Sequence, residues 1–546
     1  MMKSLWFGWA LITSSLVAWN FAHAQQTEEP QSMLIQTDVM VTTRAGFSVA
    51  VNVYRPDKPG RFPVIISLGP YGKDALPTEY EGLFEDGQIM VSEYAAFETP
   101  DPEYWVHYDY VVIAADSPGS GNSGGDMDLF GPIENEAYYD VIEWAGVQSW
   151  SNGNVGVGGV SYFGISQWYV AALNPPHLKA IMPGEAFTDT YRDAVRHGGI
   201  PSDFIPSWMQ YRVHPAKTSS ARLISAFDLA LQEHPFYEGY WASLAPDLAN
   251  ITVPTYVIAS WPDHGLHTRG TLIGFEQIGS EEKWLEVHGR KKWEYYYSRD
   301  SLERQRRFYD QFLKGIDTGI EDVPRVRYER RNGFYDGDIL YADAWPLPGT
   351  EERTYYLHAD GRLDVERSRD SASLSYASLD GDEQLAFQYT FAADTEITGT
   401  TKLKLWVEAD GADDMDLYVG LSKLDQNGDE VPMAGYDDVE QGHVASGWLR
   451  VSHRELDAER STALRPFLRH ERELKLAAGE RVPVEIEILP SSTFFQEGES
   501  LVVRMQGSEL AGAGGIEHID GVNAGHHIVH VGGEYDSQLT LPVISR

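Results

Sequence analysis

Apolar and polar positions change their spacing along the chain, and the first region has the spacing of strands that alternate with helices. Residues 47–54 alternate between apolar and polar side chains, as half-exposed strands do. Residues 62–68 and 110–115 are continuous apolar runs, which are typical of buried strands. Residues 301–314 have helical periodicity and stop at a glycine. The region therefore predicts a mainly parallel α/β sheet.

A second region begins between Asp336 and Thr350, in a stretch rich in Asp, Pro and Gly. From about residue 351 onward, short β-like runs are separated by turns, and Asn427-Gly428 is a strong hairpin signal. This pattern predicts an all-β sandwich or jelly roll. Residues 183–250 differ from both regions, since they are rich in aromatic residues and proline, with helix-like pieces and no clear strand.

These patterns predict three folded parts. We expect an α/β domain at 25–185 and 251–340, a helical cap at 186–250 inserted into it, and a β domain at 345–546. Residues 1–24 predict a secretory signal peptide, since an apolar run follows Lys3 and ends before the small-x-small site Ala22-His23-Ala24. The apolar run is shorter than the roughly 20 residues that span a bilayer. We therefore expect cleavage after Ala24 and a periplasmic or secreted protein with no membrane insertion.

Composition narrows the classes of partner. The formal net charge is −39, which argues against nucleic acid or an anionic membrane as a partner. The chain has no cysteine, so it cannot form a disulfide, use a thiolate nucleophile or bind a metal through sulfur.

The stretch at residues 156–164 has the context of a nucleophile elbow. An apolar, glycine-rich run leads into Gly159-Val160-Ser161, and a plausible helix follows Gly164. Glycines beside the turn let strand and helix approach closely while the hydroxyl projects from the sheet edge. The spacing departs from G-x-S-x-G, because Gly164 lies three residues after Ser161. An ordinary strand-to-helix turn with an incidental serine is the alternative.

An acyl-transfer site also needs a base and an orienting carboxylate. Ser161, Asp263 and His288 occur in the chain order of α/β-hydrolases, and the last two follow predicted strands. We therefore predict that His288 takes the serine proton and that Asp263 orients His288. His264 and His267 compete for the role of base, but they follow Asp263 too closely to come from a separate strand, so we favour His288.

Two other kinds of site have weaker signals. The segment 119–124 matches G-x-G-x-x-G after a strand, but Asp126 and Asp128 would repel a pyrophosphate, and the next helix starts later. A cluster of acidic residues could suggest a Ca²⁺ site, at Asp410, Asp413, Asp414 and Asp416. A cluster of histidines could suggest a Zn²⁺ site, at His526, His527 and His530. Since turns and exposed strands explain these residues as well, we predict no cofactor and no metal.

Several motifs, in order, resemble the CocE/NonD hydrolases, the family of cocaine esterase and X-Pro dipeptidyl peptidase. The matching stretches cover nearly the whole mature chain and lie at 70–73, 159–164, 261–263, 308–315 and 447–454. The resemblance implies an α/β-hydrolase catalytic domain, an inserted helical cap and a C-terminal jelly roll. It also implies an oxyanion hole formed by the Tyr71 hydroxyl and the backbone N–H of Tyr162.

Two positions depart from that family. Pro118 stands where the family often has an arginine. Gly265 and Leu266 stand where related α-amino-acid ester hydrolases carry a Glu-Asp pair that binds the substrate ammonium, which disfavours an α-amino substrate. Asp189 and Asp193 remain as possible sources of charge on the cap.

The sequence thus predicts an exported serine hydrolase that cleaves a carboxylic ester, or an amide, of a small-molecule or peptide substrate through an acyl-enzyme. Phe163, Trp261 and aromatic residues of the cap would shape the acyl pocket. The alternatives are an X-Pro dipeptidyl peptidase, an α-amino-acid ester hydrolase, a nucleotide-dependent enzyme, and a non-catalytic glycan-binding protein on a hydrolase fold. The oligomeric state is open, with a homodimer among the alternatives.

Overall fold

A computed structural model describes residues 32–76, 89, 91–436, 440–510, 516–519 and 521–545. The predicted signal peptide at 1–24 lies outside the described residues. Within the described part of the chain, no helix is long and apolar enough to cross a membrane.

The first domain contains one long twisted sheet. Its strands are β1 (Met33–Thr42), β2 (Ser48–Pro56), β3 (Phe62–Gly69), β4 (Val111–Asp116), β5 (Ser151–Val160), β6 (Leu178–Gly184), β9 (Thr255–Ser260), β10 (Lys283–His288), β11 (Val326–Gly333) and β12 (Asp336–Ala342), with a separate hairpin of β7 (Arg196–His197) and β8 (Ile200–Pro201). The order across the sheet is β1-β2-β4-β3-β5-β6-β9-β10-β11-β12. The pairs from β4 to β11 are parallel, while both ends of the sheet are antiparallel.

Helices cover both faces of this sheet, and shorter ones form the cap. They are α1 (Pro102–His107), α2 (Pro132–Gly146), α3 (Tyr162–Ala172), α4 (Phe204–Trp208), α5 (His214–Ala216), α6 (Phe227–Glu233), α7 (Gly239–Ser243), α8 (Thr268–Gln277), α9 (Lys292–Tyr296) and α10 (Arg299–Lys314). Helix α10 illustrates how the sequence sets the bounds of a helix. The Ser298 side chain accepts a hydrogen bond from the Ser301 N–H at its start, and Gly315 ends it in the left-handed conformation (φ 68°).

The central strands are buried on both faces, as their continuous apolar sequences predict. Every residue of β3 and β4 is buried. Parallel sheets need such strands because helices cover both of their faces. Strand β6 was missed by the sequence analysis, since its glycine and proline near the carboxyl end weaken the strand pattern.

The cap differs from the prediction in one respect. Residues 186–250 include the short hairpin of β7 and β8 as well as helices, where no strand was expected. The backbone N–H of Arg450 donates to the Gly198 carbonyl at the hairpin tip, so the hairpin docks on the C-terminal domain. The approach is too close for any side chain at residue 198, because a Cβ there would lie 2.0 Å from the Trp448 carbonyl oxygen. Ile200 packs with Tyr418, Trp448 and Leu489 beneath the hairpin.

The C-terminal domain is a β sandwich. Its strands are β13 (Thr350–Leu357), β14 (Leu363–Asp364), β15 (Ala372–Ala377), β16 (Leu385–Thr390), β17 (Thr395–Asp410), β18 (Asp416–Leu424), β19 (Glu430–Val431), β20 (Ala445–Arg450), β21 (Val482–Phe495), β22 (Ser500–Gln506), β23 (His526–Val531) and β24 (Gln538–Ile544). Strand β17 pairs with β21 on one edge and with β23 and β24 on the other. Strands β16, β22, β18 and β20 form the facing layer, and an apolar core separate from that of the first domain fills the space between the layers.

Candidate active site

Ser161 stands at a strained turn between β5 and α3. Its backbone has φ 59° and ψ −121°, which a residue other than glycine rarely adopts. Gly164 is required one turn later, because a Cβ at that position would lie 2.3 Å from the Gly184 carbonyl oxygen of β6. The close approach of helix and strand therefore depends on the glycine that follows Ser161 by three residues. The serine hydroxyl is held at the carboxyl edge of the sheet, where ligands of open α/β sheets bind.

His267 is the histidine that meets this serine. Its Nε2 atom lies 3.4 Å from the Ser161 Oγ atom, and its Nδ1 atom lies 2.5 Å from the Asp263 Oδ2 atom. Both side chains of the histidine–aspartate pair are buried. The short contact to a carboxylate places the proton on Nδ1, which leaves the Nε2 lone pair facing the serine hydroxyl. These atoms have the arrangement that a serine nucleophile with a histidine base requires.

The structure places His288, the predicted base, away from Ser161. His288 is the last residue of β10, and its Nε2 atom lies 3.3 Å from the Glu185 Oε1 atom. Its ring stacks on Tyr295 with 3.8 Å between the ring centroids. Asp263 and His267 instead belong to one loop, which turns back toward β5 before α8 begins at Thr268. The missed signal was their spacing of four residues, which places two side chains on the same face of a helical turn.

The buried side chain of Lys292 contacts the Asp263–His267 pair. Its ammonium nitrogen lies 2.8 Å from the Asp263 Oδ2 atom and 3.1 Å from the His267 Nδ1 atom. Burial alone would raise the pKa of the Asp263 carboxyl, but the charges of Lys292 and His267 outweigh it and hold that pKa below its usual value. Burial and the Lys292 charge lower the pKa of His267, against the opposing effect of Asp263.

Tyr71 and Tyr162, the two predicted oxyanion donors, line the same cavity as Ser161. Tyr71 accepts a hydrogen bond of 3.0 Å from the indole N–H of Trp208, and its ring packs edge-on against Tyr162 and Phe163. Tyr162 is the first residue of α3, so the helix itself does not use its backbone N–H. The Tyr162 phenol points elsewhere and donates to the carboxylate of Glu134 at 2.8 Å. Burial raises the pKa of that carboxyl to about 7.

A narrow apolar cavity opens beside Ser161 and His267. Most of its wall is aromatic, with aliphatic residues between the rings. The aromatic residues are Tyr71, Phe130, Tyr162, Phe187, Phe204, Trp208 and Phe227. Among the described residues, no Asp, Glu, Lys or Arg lines this cavity. The cap supplies much of the wall, so the docking of the cap shapes the cavity.

Two residues predicted to shape the acyl pocket lie elsewhere. The indole N–H of Trp261 donates to the Glu329 carbonyl at 2.7 Å, and the side chain is fully buried beside Trp345. Phe163 packs under Gly69, where a Cβ would lie 2.5 Å from its ring. Neither residue lines the cavity, because each points into the packed layer beneath the site. Leu266, one of the departures from the related amino-ester hydrolases, does line it.

The acidic residues of the cap are already paired. Asp189 binds the Arg192 guanidinium at 2.7 Å, and Asp193 binds Arg269 at 2.7 Å. Both carboxylates are therefore neutralised by arginine instead of facing the cavity. They do not provide the anchor that a substrate ammonium would need.

The G-x-G-x-x-G segment at 119–124 packs against a carboxylate of the protein itself. Asp116 accepts hydrogen bonds from the backbone N–H groups of Lys73 and Asn122, at 2.6 and 2.9 Å. A Cβ at Gly121 would lie 2.3 Å from this carboxylate. A carboxylate therefore occupies the place where a nucleotide loop would hold its phosphate.

Four of the seven residues that suggested metal sites have side-chain partners. Asp416 forms a bidentate pair with Arg450 at 2.7 Å, and Asp414 binds Lys475 at 2.9 Å. His527 contacts Tyr376, while His530 contacts Glu408. Glu185, Asp263 and His267 place ligand atoms within 4.8 Å of one another. The Lys292 ammonium lies 2.8 Å from the Asp263 Oδ2 atom, so a metal ion at these three residues would meet a positive charge.

Known proteins match both domains of the chain. Residues 45–291 match the model of the X-Pro dipeptidyl-peptidase (S15 family), and residues 318–540 match that of the X-Pro dipeptidyl-peptidase C-terminal non-catalytic domain. Cocaine esterase of Rhodococcus sp. (strain MB1 Bresler) is 24% identical, over 94% of this chain and 99% of its own. A putative Xaa-Pro dipeptidyl-peptidase of Bacillus anthracis is 23% identical, over 77% of this chain and 75% of its own.

Solved structures give the same result. A CocE/NonD family hydrolase of Staphylococcus aureus is 44% identical, with a TM-score of 0.91 over 94% of each chain. An α-amino acid ester hydrolase shares the fold, with a TM-score of 0.71 at 17% identity over 97% of this chain and 100% of its own. The protein is thus a serine hydrolase with an α/β-hydrolase domain, an inserted cap and a C-terminal β domain, which confirms the predicted fold class. The chain belongs to the CocE/NonD family of hydrolases.

Proposed function

We propose that the protein cleaves esters of small, largely apolar carboxylic acids, with Ser161 as nucleophile, His267 as base and Asp263 as the orienting carboxylate. The aromatic, uncharged cavity beside the Ser161–His267 contact is the observation that supports this substrate class. The cavity is narrow, with a volume of about 20 Å³ open to the centre of a water-sized sphere, which favours a compact acyl group.

The reaction follows from the positions of the atoms. His267 Nε2 accepts the hydroxyl proton as Ser161 Oγ attacks the carbonyl carbon, and the Tyr71 hydroxyl and Tyr162 N–H donate to the resulting oxyanion. The imidazolium then gives its proton to the departing alcohol as the carbon–oxygen bond breaks. Water, deprotonated by His267 Nε2, then attacks the acyl-enzyme carbonyl. The bond to Ser161 Oγ breaks, the imidazolium returns the proton to the serine, and the carboxylic acid is released. The 3.4 Å contact is long for proton transfer, as is common before substrate binds.

An X-Pro dipeptidyl peptidase is the second candidate, and the family models favour it. Such an enzyme must hold the free amine of its substrate, and an uncompensated carboxylate near the nucleophile would do so. Asp189 and Asp193 are paired with arginines, and the described lining of the cavity is uncharged. We therefore favour the ester.

We also propose export to the periplasm or beyond, on the strength of the signal sequence at 1–24.

Hydrolysis by the mature protein, starting at Gln25, tests the proposal. We expect turnover of p-nitrophenyl esters with short or aromatic acyl groups and little turnover of an X-Pro-p-nitroanilide. Ser161→Ala and His267→Ala should each reduce kcat by roughly 10⁴-fold or more. His288→Gln is the matched histidine control and should keep most of the activity. Preference for the anilide would support the peptidase, and loss of activity only in His288→Gln would refute the assignment of the base.

A further inference from the structure

A lysine occupies the position from which it can control the proposed histidine base. Lys292 is the first residue of α9, and its side chain is buried under the loop that carries Asp263 and His267. Its ammonium donates to Asp263 Oδ2 at 2.8 Å, and its nitrogen lies 3.1 Å from His267 Nδ1. The His267 Nδ1–H donates to the same Oδ2 atom, whereas Oδ1 has no hydrogen-bond partner among the described residues.

This arrangement changes what the carboxylate does for the imidazole. In a serine–histidine–aspartate site, the aspartate stabilises the imidazolium that forms when the serine proton is transferred. Here a positive charge stands 3.1 Å from the imidazole Nδ1 atom, beside the carboxylate oxygen at 2.5 Å. In a buried site both charges are screened less than in water, so the ammonium offsets part of that stabilisation. The neutral imidazole, which is the form that acts as base, is favoured.

The other charged and titratable groups near the pair do not replace this effect. Glu185, after β6, accepts a hydrogen bond from the Ser260 hydroxyl and lies 3.3 Å from His288. Its carboxylate is also within 4.8 Å of the Asp263 and His267 ligand atoms, so its charge opposes that of Lys292 only in part. Burial raises the pKa of Glu98 to about 8, so this carboxyl is mostly neutral at pH 7. Tyr436 of the C-terminal domain faces Lys292, with 5.0 Å from its ring centroid to the ammonium nitrogen. Asp263 is thus the main anion that faces both His267 and Lys292.

We propose that Lys292 is a positioning residue that fixes the Asp263 carboxylate and holds His267 in its neutral form, so that the enzyme acylates at pH values where a histidine base is ordinarily protonated. The inference rests on the proposed function, since it assigns the base to His267. It adds a role for a residue outside the predicted catalytic set. It also implies that the enzyme keeps its activity in mildly acidic surroundings.

The pH dependence of kcat/KM for a p-nitrophenyl ester tests the proposal in the wild-type protein and in Lys292→Met. We expect the acidic limb of the wild-type profile below the ordinary histidine value of about 6.5. Removal of the ammonium should move the acidic limb to higher pH, by about one pH unit or more. The rate ratio of wild type to variant should then be about tenfold larger at pH 5 than at pH 8. A purely structural role would lower the rate by the same factor at both pH values.

Two substitutions serve as controls. Lys292→Arg keeps the charge and should keep the wild-type limb, while Lys179→Met removes an exposed lysine at the far end of β6 and should leave the profile unchanged. Return of each sample to pH 8 after acid exposure shows whether protein was lost to unfolding.

The possible results separate the two proposals. A wild-type limb at or above 6.5, or an equal rate ratio at both pH values, would overturn the role of Lys292. If Lys292→Met does not fold, the wild-type profile still tests the proposal, since an acidic limb at or above about 6.5 refutes it. Full activity in His267→Gln would instead overturn the proposed function itself.

Discussion

The contact between Trp208 and Tyr71 predicts that the cap prepares the oxyanion hole. Trp208 ends helix α4 of the cap, whereas Tyr71 follows strand β3 of the sheet. The indole N–H donates to the Tyr71 hydroxyl oxygen at 3.0 Å, so the phenolic proton is directed toward a different acceptor. In the proposed reaction, that acceptor is the developing oxyanion.

The expected magnitudes follow from the two hydrogen bonds. Tyr71→Phe removes a donor to the oxyanion, which typically costs about 10²–10³-fold in kcat. Trp208→Phe keeps an aromatic wall and removes only the N–H that orients the phenol. We expect it to lower kcat by roughly fivefold, since a neutral hydrogen bond contributes about 1 kcal/mol. In the Tyr71→Phe background the same change should have little further effect on kcat, because the hydroxyl that it orients is gone.

A double-mutant cycle measures this coupling. Steady-state kcat and KM for one p-nitrophenyl ester are compared among the wild type, both single variants and the double variant. Trp241→Phe is the matched control, because its indole N–H donates to the His234 carbonyl at 2.8 Å, away from Tyr71. Additive effects on kcat in the double variant would refute the reasoning, as would a Trp208→Phe effect confined to KM.

Two further predictions concern stability. Gly164→Ala should lower the free energy of unfolding by about 1–3 kcal/mol, because its Cβ would lie 2.3 Å from the Gly184 carbonyl. Thermal melting beside Gly239→Ala, where nothing lies within 4 Å, checks this, and equal melting temperatures would contradict it. Burial lowers the pKa of His453 to about 4, so the unfolded chain takes up this proton first as pH falls below about 6.5. His453 therefore destabilises the fold progressively between about pH 6.5 and pH 4, by about 1.4 kcal/mol per pH unit. The stability deficit of His453→Gln relative to wild type should shrink from pH 8 to pH 5, and a deficit independent of pH would contradict the prediction.

Local pattern was enough to predict most of the framework. Buried strands such as β3 and β4 are continuous apolar runs, and their neighbours in sequence are helices, so a parallel sheet follows. The sequence also predicted Ser161 as the nucleophile candidate, since glycines in its strand and after it are the local requirement for a tight strand-to-helix turn. These features depend on residues a few positions apart, which a sequence displays directly.

The tertiary structure alone decided which histidine meets the serine. His267 lies 106 positions from Ser161, and both it and His288 are near the ends of adjacent strands. Nothing local to either residue shows that Glu185 and Tyr295 hold His288, or that the Asp263 loop folds back toward the elbow. The acyl cavity has the same origin, because its wall joins rings of the sheet domain and of the cap. Local periodicity encodes which face of an element is buried, whereas the partner it meets is set by packing between distant segments.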